Sequence, residues 1–290
     1  MPEFSTSSSS QSSVSSSAST KHQVLLRNNV TVIGEGKPPL LLCNGFGCDQ
    51  RIWRYMVPAL SARYQLILFD QVGSGESDRT EYDPQKYATL SGYAQDVIEI
   101  CQVLGLKQTA VVAHSVGTMI ILLAALQAPQ LFSQIVMVAP SPYYINEPGY
   151  HGGIDREDMT QLLQLMETDY NGWADIFAAL LMGPTPPAAV SQELATQFCT
   201  TDCSIARDFA EVAFFADNRA DLPRLQVPTL LLQCTQDVAA PAEVGEYLLD
   251  HLPQATLVTM QATGHCPHLS APMETLAAIE SFLAQSNSLA

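Results

Sequence analysis

Apolar residues along this chain fall into two alternating patterns: short unbroken runs, and longer stretches with three-to-four-residue spacing. Leu40 to Cys43, Leu66 to Phe69, Ala110 to Ala113, Pro228 to Cys234 and Thr256 to Met260 are runs of strand length, rich enough in aliphatic residues to be buried on both faces. Between them lie helical stretches such as Leu90 to Leu104, and a segment from Thr118 to Leu126 that is apolar on every side and so belongs inside the protein. Strands alternating with helices predict a mainly parallel sheet with right-handed crossovers. The alternation stops near Pro140 and resumes at Val227. The stretch between lacks convincing strands and carries helical spacing instead: Asp155 to Tyr170, Gly172 to Met182, Ser191 to Cys199 and Ser204 to Ala216. An excursion of that size inside an α/β fold reads as a helical cap.

This divides the chain into a core of residues 21–140 and 218–290, a cap of residues 141–217, and an N-terminal tail of residues 1–20. Ser5 to Thr20 holds 11 serines in 16 residues, too little apolar surface to fold, and is expected to be disordered. Met1-Pro-Glu-Phe4 has the look of a cloning scar.

The chemistry concentrates where strands end. Ala113-His114-Ser115-Val116-Gly117 joins an apolar strand to a buried helix, the setting of a nucleophile elbow. Such a turn crowds the serine on both sides, so the residues two before and two after must be small, as Ala113 and Gly117 are. A nucleophilic serine needs a base, and the base an acid that fixes its tautomer. Two later strands each end in one of these, Asp237 after Cys234 and His265 after Met260 and Gly264, so Ser115, Asp237 and His265 converge on the carboxyl rim of the sheet. Rivals exist. Asp70 also ends an apolar strand, but it precedes Ser115 and its context, Asp70-Gln-Val-Gly-Ser-Gly-Glu-Ser-Asp78, reads as a structural turn, leaving a swapped acid as the alternative. His268 follows His265 closely yet belongs with the next loop or helix start, and His114 is directed away from the base by the elbow. Two oxyanion donors are expected at the amides of Val116 and Phe46, the latter in the loop Asn44-Gly-Phe-Gly-Cys48.

These stretches together resemble the α/β-hydrolase group that contains the bacterial stress regulator RsbQ and the plant karrikin and strigolactone receptors. The resemblance covers Gln23 to Ala284 and is carried by Asn44 to Trp53, Ile67 to Asp78, Gly92 to Val97, His114 to Gly117, Val138 to Asn146 and Gly264 to Ser270. Gly117 and Gly264-His-Cys-Pro-His268 are closer to the bacterial regulator; Ala113, where glycine is usual, and the serine-rich extension depart from the group. The resemblance implies an α/β-hydrolase fold with an eight-stranded sheet flanked by helices and an inserted four-helix cap. It further implies a narrow, apolar substrate pocket at Tyr144, Leu162, Trp173, Phe177, Phe214, Phe215 and Val238. A small hydrophobic ester or lactone suits such a pocket better than a sugar, peptide or nucleotide. It implies either turnover of that ligand or a signalling role in which bound ligand controls a partner such as a sensor phosphatase.

Composition narrows the partners. The 290 residues carry 13 basic and 29 acidic side chains, a formal charge of −16, which argues against nucleic acid and anionic membranes. No apolar run is long enough to span a bilayer and no secretory pattern opens the chain, so a cytoplasmic location is expected. Seven cysteines, at 43, 48, 101, 199, 203, 234 and 266, form no compact disulfide or zinc-ligand pattern, and neither a metal nor a cofactor is expected.

Overall fold

A computed structural model of the protein describes residues 10–183 and 188–286. The chain runs α1 (Ser10–Arg27), β1 (Thr31–Ile33), β2 (Pro39–Cys43), α2 (Val57–Arg63), β3 (Gln65–Leu68), α3 (Leu90–Val103), β4 (Thr109–His114), α4 (Val116–Gln127) and β5 (Phe132–Val138). Four helices follow without a strand among them: α5 (Arg156–Thr168), α6 (Tyr170–Met182), α7 (Ala188–Phe198) and α8 (Cys203–Phe215). The sheet then resumes with β6 (Thr229–Thr235), α9 (Ala242–His251), β7 (Ala255–Thr263), α10 (Pro267–Ser270) and α11 (Pro272–Ser286).

The strands form one sheet in the order β1-β3-β2-β4-β5-β6-β7, parallel throughout except for β1, which pairs antiparallel with β3. Seven strands are present among the described residues, one fewer than the eight expected, because no strand precedes β1: the segment ahead of it is the helix α1. All six residues of β4 are buried, and α4 buries residues on every side. The runs at β2, β3, β4 and β6 are thus buried on both faces, whereas Thr256 to Met260 is not: β7 is an edge strand whose Thr256, Val258 and Thr259 are exposed.

The serine-rich segment departs from expectation. Residues 1–9 lie outside the described residues, but residues 10–20 extend α1 rather than forming a disordered tail. The anchored end of α1 explains this: Val24 is buried, and Arg27 pairs with Asp96 at 2.9 Å and with Glu99 at 2.8 Å on α3. Once a packed turn exists, each further residue adds a helical hydrogen bond without repeating the nucleation cost, and serine is only a moderately poor helix former. The four insertion helices lie within a few residues of the expected bounds. Residues 184–187 of the expected cap, and 287–290 of the expected core, lie outside the described residues.

Candidate active site

β4 delivers Ser115 at the sheet's carboxyl end, and the backbone turns sharply there: Ser115 has φ 54° and ψ −129°. A non-glycine residue in that region is strained, and the surrounding packing must hold it. The packing is close. A Cβ at Gly117 would lie 2.4 Å from the Asn44 carbonyl, and one at Gly45 would lie 2.6 Å from His114 Nδ1 and 3.2 Å from Ser115 Cβ. The loop after β2 thus passes directly over the serine. Asn44 holds this loop, donating from Nδ2 to the Phe69 carbonyl at 2.8 Å and accepting at Oδ1 from Trp53 Nε1 at 2.7 Å. Val116 is the first residue of α4, so its amide is one of the four that a helix leaves without an internal acceptor.

Ser115, His265 and Asp237 meet as the strand ends require. The Asp237 carboxylate accepts the ring N–H of His265, Nδ1 to Oδ2, at 2.8 Å. With Nδ1 carrying that proton, the neutral ring presents a lone pair at Nε2, which accepts from Ser115 Oγ at 2.7 Å. The other Asp237 oxygen accepts from the amides of Ala239 at 2.9 Å and Ala240 at 3.1 Å, fixing the carboxylate. All three residues are buried, with Ser115 exposed by 8%. This order of donors is one in which a base takes the serine proton and a carboxylate stabilises the resulting imidazolium.

The backbone of His265 is held from both sides, a feature not read from the sequence. Its N–H donates to the Leu181 carbonyl at the end of α6, at 2.6 Å, and its carbonyl accepts from His114 Nε2 at 2.9 Å. Gly264, with φ 77°, permits the approach, since a Cβ there would lie 2.3 Å from the Met182 carbonyl. The elbow therefore does not direct His114 away from the base as expected: its Nε2 reaches the His265 backbone carbonyl, and its ring lies 5.2 Å from that of His265. His268 sits in α10, its ring 4.8 Å from that of Trp53 and 4.4 Å from that of His114, without a hydrogen-bond partner on either nitrogen. Burial pushes its pKa down to about 3 and holds that of His114 well below the ordinary value, so both rings are neutral.

Asp70 has a different set of neighbours. It accepts from Asn29 Nδ2 at 2.8 Å, from the Gln50 amide at 2.8 Å and from the Glu76 amide at 3.0 Å, tying three loops together.

Above Ser115 lies a nearly filled cavity walled by Phe46, Tyr144, Phe177, Leu194, Phe198 and Phe214 among others. Phe46 is the hub of this wall, with ring centroids 5.2 Å from Phe214, 5.4 Å from Phe209 and 6.1 Å from Trp173. The Tyr144 hydroxyl lies 3.3 Å from Ser115 Oγ; burial raises its pKa, so it remains a phenol able to donate. The free space inside is only about 20 Å³, room for about one or two water molecules. Among the described residues no lysine or arginine lines it. Arg156 reaches the Tyr143 hydroxyl instead, and Arg207 pairs with Glu167 and Glu211.

Of the expected pocket residues, Tyr144, Phe177 and Phe214 line this cavity. Trp173 is fully buried and stands behind Phe177, their rings stacked at 5.2 Å, with no face on the cavity. Phe215 is turned outward by the next helical step from Phe214, under the Arg156 guanidinium at 5.1 Å. Leu162 and Val238 line a separate outer groove. Leu181, Leu194 and Phe198 were missed, although Leu181 continues the stripe of Trp173 and Phe177, and Leu194 and Phe198 are one helical turn apart on α7. Ile154 had no periodic signal, because it lies in the loop before α5.

Among the described residues no group of three or more His, Cys, Asp or Glu side chains is arranged to hold a metal ion, and no helix is long and apolar enough to cross a membrane. The cysteines described are all free.

Residues 40–279 match the model of the alpha/beta hydrolase family. The chain is 38% identical over 247 residues to a probable esterase of Oryza sativa subsp. japonica, covering 84% of this chain and 91% of that one. It is 36% identical over 246 residues to the karrikin insensitive 2 receptor CA of Petunia hybrida, again 84% of this chain and 91% of the other. A solved structure of a hydrolase from Oleispira antarctica superposes with a TM-score of 0.89 at 38% identity, covering 91% of this chain and 97% of that one.

Proposed function

Because the chain belongs to the alpha/beta hydrolase family, we propose that it hydrolyses a small hydrophobic ester or lactone through Ser115, His265 and Asp237. The observation that carries this is the unbroken line of hydrogen bonds from Asp237 Oδ2 through His265 to Ser115 Oγ, at 2.8 and 2.7 Å, beneath an apolar wall.

In this mechanism His265 Nε2 takes the Ser115 proton as Oγ bonds to the substrate carbonyl carbon. The amides of Phe46 and Val116 receive the oxyanion, usually the largest electrostatic contribution to such a step. The carbon–oxygen bond to the leaving group then breaks while His265 returns the proton to the departing alkoxide. Water, deprotonated in turn by His265, attacks the acyl-serine and frees Ser115. Tyr144 is placed to donate a hydrogen bond to the substrate next to Ser115. Every proton has a donor and acceptor within the site, so the cycle closes on this chain's own residues and water. The absence of a cation from the cavity wall among the described residues favours an uncharged ligand over an anionic one.

A fluorophosphonate tests this reading: it should label wild-type protein at Ser115 and leave Ser115→Ala and His265→Ala unlabelled, as read by mass spectrometry of tryptic peptides. Labelling of another residue at the wild-type rate overturns the assignment.

A second reading has its own support, the 36% identity to a protein named as a receptor. Here the insertion acts as a cap whose position reports the ligand to a protein partner, such as a sensor phosphatase, and turnover is slow or occurs once. Linkage then requires that partner and ligand tighten one another equally. Ligand affinity of Ser115→Ala protein with and without a copurified partner separates the two readings.

A further inference from the structure

Outside the Ser115 cavity lies a second concavity that the sequence did not separate from the first. It is an open groove of about 230 Å³ between α5, α6 and the loop after β6. Leu162, Leu180 and Val238 form its floor and sides, and Leu180 and Val238 are 48% and 49% exposed, two of the few large apolar side chains left in solvent. The groove shares four residues with the inner cavity: Ile154, Phe177, Leu181 and Ala239. These four side chains are thus a partition with the serine on one side and solvent-facing apolar surface on the other.

From this continuity we propose that the groove is a subsite for the apolar tail of the ligand whose carbonyl sits at Ser115. The reading rests on the proposed function, which it deepens by naming the ligand's shape. With the partition side chains Ile154, Phe177 and Leu181 rotated aside, the inner space of about 20 Å³ joins the groove, a compact ester or lactone head reaches Ser115, and its unbranched apolar chain lies in the groove. These three are aliphatic or aromatic groups whose rotation opens a path without moving the sheet. The groove also selects against charge. Its one ionisable lining residue among those described is Asp158, at the start of α5, so a tail ending in a carboxylate meets repulsion and no counter-ion. The favoured occupant is therefore uncharged along its length.

Straight-chain 2-alkanones provide a probe that binds without being hydrolysed, placing a carbonyl at Ser115 and a tail of chosen length beyond it. Titrated into wild-type protein from 2-butanone to 2-decanone by calorimetry, they should tighten about three- to fourfold per added methylene as the chain enters the groove. In Leu180→Asp and Val238→Asp this slope should flatten for the longer ketones, with 2-decanone at least about tenfold weaker than in wild type. The milder Leu180→Ala and Val238→Ala should show the same trend to a smaller degree, which guards against a misfolded variant. A carboxylate at the end of the decanone chain should cancel the gain. Unchanged slopes in all four variants overturn the inference. So does a change in sedimentation of Val238→Asp with ketone binding intact, which would make the groove a contact between copies of the chain. Because ketone binding needs no turnover, it stands or falls apart from the catalytic reading. Ketones that bind as described, with no fluorophosphonate labelling, would remove the hydrolase mechanism alone. Labelling at Ser115 with unchanged ketone slopes would remove the subsite alone.

Discussion

Asp70 and Asp237 both follow apolar strand runs and end in opposite circumstances. Each follows a buried parallel strand, and each carboxylate lies at the rim of the sheet, almost wholly removed from water. Asp70 meets only donors that belong to loops: the Asn29 amide group, the Gln50 backbone and the Glu76 backbone. Asp237 has two backbone donors of its own loop on one oxygen and the His265 ring on the other. The difference lies in what the fold brings opposite. A carboxylate saturated by fixed donors can only hold loops together, whereas one with an imidazole on its free oxygen can also respond to a proton arriving on that ring.

The comparison is broken most forcefully by replacing each carboxylate with its amide. Asp237→Asn should leave the fold intact and cut ester turnover on the order of 10⁴-fold, since the amide no longer selects the His265 tautomer that accepts from serine. Ser115→Ala should lose at least as much. Steady-state kinetics with an aryl acetate, beside circular dichroism to establish folding, makes the measurement. A folded Asp70→Asn protein that lost activity to the same extent would move the acid to Asp70.

A second difference is electrostatic. The Asp237 side is backed by two buried neutral imidazoles, His114 and His268. Both have folded pKa values below the unfolded value of about 6.5. Above that pH neither state carries the extra proton and they add no pH dependence. As pH falls below about 6.5 the unfolded chain takes up protons that the folded state refuses, so stability is lost continuously toward about pH 3, where His268 itself titrates. Each such histidine costs about 1.4 kcal/mol per pH unit over that window. Urea midpoints should therefore drop between about pH 7 and about pH 4. His268→Leu, which removes a buried ring with no hydrogen-bond partner, should make the drop shallower. An identical slope in that variant would mean that other groups dominate.

On the Asp70 side the expected loss is stability rather than turnover. Asp70→Asn keeps one acceptor oxygen; at the Oδ2 position it still serves Asn29 and Glu76 but turns an NH₂ toward the Gln50 amide, leaving that donor unsatisfied, a cost of about 1–3 kcal/mol. Thermal unfolding should shift downward while kcat/KM of the folded enzyme stays near wild type. An unchanged unfolding temperature would show that the three hydrogen bonds carry no net stability.

The smallest effect concerns α1, which reaches this side through its end. Asn28 and Asn29, just after the helix, bond the Asp70 backbone and carboxylate, and Arg27 anchors to α3. Removal of residues 1–20 leaves all of these in place, so unfolding temperature and turnover should both stay within experimental error. A clear loss would mean that the serine-rich turns support the anchor.

Much of this site was legible because its parts are local. Small residues flanking Ser115, an acid and a glycine-histidine pair at later strand ends, and stripes of apolar residues in the insertion are all written in consecutive positions, and each constrains the backbone within a few residues of itself. The same reasoning misplaced the serine-rich segment, since low apolar content was weighed without the anchored turns at Val24 and Arg27 that a helix can grow from. It also placed Trp173 and Phe215 in the pocket. A stripe identifies a helix's buried face, yet residues on that face divide between the cavity and the packing behind it.

The sequence by itself determined the alternation of strands and helices, the insertion's position, and the order in which Ser115, Asp237 and His265 follow their strands, because periodicity and turn chemistry act over short separations. Tertiary structure alone decided which aspartate faces the histidine, how His114 and Leu181 grip the His265 backbone, and that a four-residue partition divides an inner cavity from an outer groove. Those facts depend on distances between residues far apart in the chain, such as His114 and His265. They are fixed only when the sheet's strand order and the insertion's seating bring separate loops to one rim.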